Sequence, residues 1–303
     1  MGQMTTPPPV TGIYTAIVTP FQDEATQALD FKAFDRLLDS QLEAGVDGLV
    51  PCGTTGESPS LSNEEQLTLI RHTVNRARGK AKVLAGTGTN ATRTTIERSQ
   101  AAVDVGADAV MVVVPYYNKP TQEGLFRHFK AVAESTRLPI ILYSIPGRCG
   151  VEIAVDTVLR LARACPNIVA IKEAGGTVER VNQLHAALPP EFTILSGDDA
   201  LTLPFMTAGA EGVISVASNI YPREMVRIVQ SFADGRLAEA RELHAHYYPL
   251  FRDLFIETSP VPIKTALALA GRISGELRLP LCEMAPANAA KLLATLRTLN
   301  LVK

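Results

Sequence analysis

The sequence is sparing in the features that would mark a specialised class of protein. Four cysteines occur among 303 residues (Cys52, Cys149, Cys165 and Cys282), and none shares a C-x-x-C spacing. Neither a zinc site nor a disulfide framework is suggested, and the pattern fits a reducing cytoplasm. The formal net charge is only -2, so there is no electrostatic footprint for nucleic acid or an anionic membrane. No apolar run approaches the ~20 residues needed to span a bilayer. The first ten residues, "MGQMTTPPPV", lack the basic start and apolar core of a signal peptide. They match M-G-x-x-x-[ST], an acylation pattern, but one acyl chain without a polybasic patch anchors only marginally, so it is read as coincidence. No HExxH occurs, and His244 and His246 stand two apart, on different faces of a helix, so metal chemistry is not expected.

What is present is apolar and periodic. Hydrophobic residues make up 46% of the chain, enough for a sizeable core. Strand-like runs recur as "AIVTP" (from Ala16), "GLVPC" (Gly48), "KVLAGTG" (Lys82), "AVMVVVP" (Ala109), "IILYSIP" (Ile140), "IVAIKEA" (Ile168), "FTILSGD" (Phe192) and "GVISVAS" (Gly212). Segments of helical periodicity lie between them, and strand–helix alternation implies crossover units and a parallel sheet. Eight units in roughly 220 residues predict a closed (β/α)8 TIM barrel. The repeated "EAGVDGLV", "DVGADAVM" and "TAGAEGVI" each set a glycine at a helix end, then an acidic residue, then a strand. After the eighth unit only helical patterns remain. The expected division is a catalytic barrel over 12–236 and a C-terminal helical extension over 237–303.

In such a barrel, chemistry gathers at the carboxyl ends of the strands. Lys172 closes the apolar run "NIVAIKEAGG" at one of those ends. A lysine there could simply snorkel to solvent. Aimed at a shared, desolvated cavity, its amine would instead lose its charge near neutrality and become a nucleophile toward carbonyls. Lys264, on a peripheral helix after two prolines, is expected to be structural. Tyr143 on the neighbouring strand, with Tyr116 and Tyr117 after the fourth, could move protons. "GTTGES" offers backbone N–H groups with the Thr54 and Thr55 hydroxyls as a carboxylate cradle. It is no phosphate loop, because no GK[ST] follows, and the lone "GTGTNA" is a weak dinucleotide signal that is rejected. Arg148 in "PGRCG" is either a surface arginine or a fork for a substrate carboxylate. Asp198 and Asp199 read as loop hydrogen bonders or helix caps.

The segments "GTTGES", "PYYNKPTQEG", "YSIPGRCG", "AIKEAGG", "LSGDDA" and "GVISVASN" together resemble the dihydrodipicolinate synthase family of the pyruvate aldolase superfamily, in order from about Gly12 to Pro286. The resemblance implies that Lys172 forms a Schiff base with pyruvate, whose enamine attacks L-aspartate 4-semialdehyde. It implies Tyr143 as proton donor and acceptor, with Thr54 and Tyr117 as the relay, Tyr117 reaching into a neighbouring subunit's site. Thr55 would hold the pyruvate carboxylate, Arg148 the semialdehyde carboxylate, and Gly197 and Ile214 would line the pocket with main chain. Cys149 stands where threonine is frequent. No cofactor is implied, and a homotetramer is. A lysine-binding inhibitory cleft would be lined by Ser58, Pro59, Asn63, Gln66, Asn90, Thr94 and Tyr116. Strongly inhibited members carry glutamate at the place of Thr94, so inhibition is expected to be weak or lost. Two other functions fit less well: an aldolase or dehydratase of keto-deoxy sugar acids or sialic acid, and a silent barrel that only binds a metabolite.

Overall fold

Eight short strands alternate with helices along the chain: β1 (Gly12–Ala16), β2 (Gly48–Val50), β3 (Lys82–Gly86), β4 (Ala109–Val113), β5 (Ile140–Ser144), β6 (Ile168–Glu173), β7 (Thr193–Ser196) and β8 (Gly212–Ser215). The computed structural model describes residues 10–23 and 25–302. The acylation pattern at the N-terminus lies outside the described residues. Each strand pairs in parallel with the next, and β8 closes on β1 through Gly12↔Gly212 to Thr15↔Ser215. The architecture is the (β/α)8 barrel that the alternation predicts.

Side chains alternate across a strand, so a closed sheet has an inside and an outside. Tyr14, Val50, Leu84, Met111, Ile141, Ala170, Leu195 and Ile214 point inward and form one buried cluster. Their neighbours Ile13, Leu49, Val83, Val110, Leu142, Ile171, Ile194 and Val213 belong to a second, larger cluster that includes the helices. Each such side chain contributes about 1.5–3 kcal/mol when fully buried. Gly48 shows how tightly the inside is filled, since a Cβ there would lie 2.3 Å from the Tyr14 ring.

The repeated glycine–acid pattern has a mechanical basis. Gly45 closes the helix Phe31–Ala44 in a left-handed conformation (φ 80°) that L side chains rarely adopt. Two residues on, the Asp47 carboxylate accepts the Ile13 N–H of the preceding strand at 2.8 Å, and Asp108 does the same for Val83 at 2.7 Å. The loops at the bottom of the barrel are thus stitched to the strands beside them.

One boundary differs from expectation. The first strand starts at Gly12 and ends at Ala16, where the apolar run seemed to begin. Thr15 hides it: its hydroxyl is buried and donates to Gln41 at 2.7 Å, which satisfies a polar group inside an otherwise apolar strand. Beyond β8 come the helices Pro222–Ala233, Leu237–Asp253, Val261–Leu269 and Pro286–Thr298. No helix of the described residues is long and apolar enough to cross a membrane.

Candidate active site

The pairing of β5 with β6 decides where Lys172 lies. Ile140 pairs with Ile168, but Ile141 pairs with Ala170, so Val169 is an extra residue in β6. Such a bulge re-aims everything beyond it. Here it puts Lys172 directly beside Tyr143, two residues past the inward-facing Ala170 and Ile141. Lys172 is 4% exposed, and its Nζ lies 4.2 Å from the centroid of the Tyr143 ring.

Burial pulls the Lys172 amine down from its ordinary 10.5 to about 8; the Asp199 carboxylate opposes the fall and the Arg148 guanidinium adds to it. Roughly a tenth of the amine is therefore uncharged at pH 7 and half at about pH 8, against well under a thousandth for an ordinary lysine at pH 7, and the uncharged form is the one a carbonyl nucleophile needs. Burial pushes the Tyr143 phenol up to about 12, against the influence of Arg148 and of a hydrogen bond with Thr54. At neutral pH it keeps its proton and can donate it.

Asp199 is a buried carboxylate whose Oδ2 accepts the N–H groups of Val216 (3.0 Å) and Ala217 (2.8 Å). Burial raises its pKa to about 6. The Asp198 carboxylate accepts the Ala200 N–H at 2.8 Å. Both are loop hydrogen bonders, and Asp199 additionally carries the negative charge nearest in effect to Lys172.

Gly197 follows β7 and lies against the lysine. A Cβ on it would lie 2.7 Å from the Ala174 Cβ and 3.1 Å from both the Glu173 carbonyl oxygen and the Lys172 Cε, so a side chain there would displace Ala174 and crowd the lysine. Ile214 on β8 is buried in the same interior cluster as Tyr143. Thr55 is buried in the loop after β2, while Thr54 is half-buried. Thr54 bonds Tyr143 and also lines a cavity of about 450 Å³, together with Arg148, Cys149, Asn90, Thr94 and Tyr116. Thr54 is thus the link between the buried Lys172–Tyr143 pair and the open cleft. Arg148 sits on the short helix Pro146–Cys149 after β5, and its Nη2 donates to the Ser259 carbonyl at 3.0 Å. The contact leaves the other guanidinium nitrogens for a ligand in the cavity.

Tyr117 is not brought to this group. It is 89% exposed, in a left-handed conformation (φ 71°) on the loop after β4. Ser58 and Pro59 line the same cavity as Thr54, and Asn63, Gln66 and Thr94 line an adjoining one of about 300 Å³. The Gln66 amide donates to the carbonyls of Ser58 (2.9 Å) and Leu61 (3.2 Å), so it braces its own loop. Arg98, which the sequence reading passed over, lines both cavities and donates to Asn63 at 3.0 Å. Glu57 was also missed as a partner: it pairs with Lys264 at 2.6 Å in the interior. Among the described residues no group of three or more His, Cys, Asp or Glu side chains could hold a metal ion.

A buried lysine of lowered pKa at the top of a barrel strand, with a protonated phenol against it and a cleft beyond, defines a lyase of the Schiff-base, class I aldolase type. The comparisons with known proteins narrow that class. The chain belongs to the dihydrodipicolinate synthetase family, which it matches over residues 9–299. It is 48% identical over 292 residues to the 4-hydroxy-tetrahydrodipicolinate synthase of Endomicrobium trichonymphae, covering 96% of this chain and 99% of that protein. The solved structure of the 4-hydroxy-tetrahydrodipicolinate synthase of Methylacidiphilum fumariolicum SolV superposes with a TM-score of 0.94 at 56% identity, covering 96% of this chain and 97% of that one. The dihydrodipicolinate synthase of Acinetobacter baumannii, solved in complex with pyruvate, gives 0.94 at 41% identity, covering 97% of this chain and 100% of that one.

Proposed function

We propose that the chain condenses pyruvate with L-aspartate 4-semialdehyde to 4-hydroxy-tetrahydrodipicolinate, in the route to diaminopimelate and lysine, with the following roles for its residues. The neutral Lys172 amine attacks the pyruvate carbonyl and, with loss of water, forms a Schiff base. Departure of a methyl proton gives an enamine, whose carbon forms the new bond to the semialdehyde carbon. The semialdehyde amine then closes the ring on the imine carbon and displaces Lys172, which restores the free amine. Tyr143 gives and takes the protons, held in its protonated form between turnovers by burial. Thr54 hands them toward the cleft, with Tyr117 of a neighbouring subunit as the further member of the relay.

Thr55 and the main chain at Gly197 and Ile214 hold the pyruvate unit, and Arg148 holds the semialdehyde carboxylate. The observation that carries the reading is the register of Tyr143 against Lys172 in a water-poor interior, with Thr54 leading out of it. Arg148 in the cleft favours a short acidic aldehyde over a long neutral sugar chain, and the relatives above are synthases. The exposed Tyr117 supports an assembly in which that side chain is covered, which we take to be a homotetramer. Four free cysteines support a cytoplasmic setting. A coupled assay of condensation with pyruvate and semialdehyde, run beside cleavage assays on keto-deoxy sugar acids and sialic acid, tests the function. Condensation is expected to dominate; efficient sugar-acid cleavage without condensation would overturn it.

A further inference from the structure

Away from Lys172 the barrel buries an ion pair that the mechanism does not use. Lys264 Nζ lies 2.6 Å from Glu57 Oε1, with side-chain exposures of 0% and 1%. The ammonium also donates to the Thr19 carbonyl at 3.0 Å and sits 4.2 Å from the centroid of Phe21. The second Glu57 oxygen accepts the Arg278 N–H at 3.1 Å. Arg278 in turn donates to Glu65 through both terminal nitrogens and reaches the Ser60 carbonyl at 3.0 Å. Two segments of the C-terminal part of the chain, around Lys264 and Arg278, therefore converge on one side chain.

That side chain belongs to the loop that carries Thr54. Glu57 adopts a left-handed conformation (φ 54°), and its N–H donates to the Thr54 carbonyl at 3.0 Å. Gly56 N–H bonds the Gly53 carbonyl at 3.1 Å, and the Thr19 hydroxyl holds the Gly56 carbonyl at 2.7 Å. A glutamate is held in such a conformation only where its surroundings over-determine it. Here the over-determination is the ion pair. A buried ion pair is poor evidence for stability, because desolvation offsets much of the attraction, but its directional bonds fix geometry.

We propose that Glu57 and Lys264 are positioning residues, which set the turn at residues 53–57 and through it the Thr54 hydroxyl against Tyr143. The C-terminal helix Val261–Leu269 thus acts on the reaction although it touches no substrate. The proposal rests on the reading of Thr54 as part of the proton path.

The test is a double-mutant cycle in the full chain, comparing Glu57→Gln, Thr54→Val and the two combined. The readings are kcat, the KM for pyruvate, and the rate of pyruvate adduct formation at Lys172. Glu57→Gln is expected to lower kcat about tenfold or more, as a displaced proton relay should, with little change in the pyruvate KM. In the Thr54→Val background the same change should cost less than about threefold, because interacting sites are not additive. Lys264→Arg should restore most of the activity that Lys264→Met loses. Should a lone charge prevent folding, the neutral pair Glu57→Gln/Lys264→Met replaces Glu57→Gln in the cycle. Full multiplication of the two effects, or wild-type kcat in the neutral pair, would overturn the positioning role. An unchanged kcat in Thr54→Val alone would overturn the relay reading and the proposal with it.

Discussion

Replacing Lys172 with methionine should abolish activity and stabilise the protein. The reasoning starts from the fall of the amine from 10.5 to about 8, caused mainly by burial. That difference corresponds to about 3 kcal/mol of folding free energy that the charged amine costs at neutral pH. The imperfect fit of a substituted side chain in a packed interior gives back about 1 kcal/mol of it. Methionine is similar in length, apolar and adaptable, so the site stays filled. A net gain of about 2 kcal/mol remains, roughly 3 °C in Tm for a chain of 303 residues. The pH dependence carries the sign. Between about 8 and 10.5 the unfolded chain holds a proton that folded Lys172 has released, so the wild type gains stability as pH rises through that window. Below about 8 the cost is present in full. The advantage of Lys172→Met should therefore be complete at pH 7 and largely gone at pH 10. Thermal unfolding of both proteins across that range is the assay. A variant less stable than wild type at pH 7, or a difference that ignores pH, would refute the account of the buried amine.

Asp199→Asn and Arg148→Ala should move the acid limb of adduct formation in opposite directions: toward lower pH for the first, since a charge favouring the ammonium is lost, and toward higher pH for the second. Shifts of the same sign would mean that these groups do not act on Lys172 through charge. Arg148→Ala should also impair use of the semialdehyde by about 10- to 150-fold in kcat/KM, the worth of a hydrogen bond to a charged group, while leaving pyruvate adduct formation far less affected. Tyr143→Phe should lower kcat instead; unchanged semialdehyde kinetics in Arg148→Ala would turn attention back to sugar acids. Lysine should inhibit feebly, because Thr94 has no charge to pair with an ammonium and the Arg98 guanidinium lines both cavities beside it. Half-inhibition at sub-millimolar lysine in a titration at fixed substrate would show this to be wrong.

The strands were legible because parallel barrel strands are buried on both faces and read as near-continuous apolar runs. β1 was the exception, and its polar member Thr15 is satisfied by Gln41, a partner no local window contains. Lys172 stood out for the opposite reason: an ionisable group at the end of an apolar run has few explanations. Its register against Tyr143 did not stand out, because it depends on the extra residue at Val169, and nothing in "NIVAIKE" marks a bulge. Glu57 was invisible as an ion-pair partner, since Lys264 is 207 residues away and both sit in segments with sufficient local explanations. Charges paired across the barrel are a property of the closed fold. Gly197 is intermediate: a glycine just past a strand is readable, but only the structure shows that it packs against Ala174 and the Lys172 chain.

The central claim is that Lys172, and not the equally buried Lys264, is the amine that meets the substrate carbonyl. Both amines lie 4.2 Å from the centroid of an aromatic ring and burial lowers both pKa values, but Lys264 is tied up by the Glu57 carboxylate and the Thr19 carbonyl, whereas Lys172 stands beside the Tyr143 phenol at the carboxyl end of its strand. Reduction with borohydride in the presence of pyruvate, followed by intact mass and peptide mapping, distinguishes them. One reduced three-carbon adduct per chain, mapped to Lys172 and accompanied by loss of activity, is the expected result. An adduct at Lys264, or none anywhere in the chain, would contradict it.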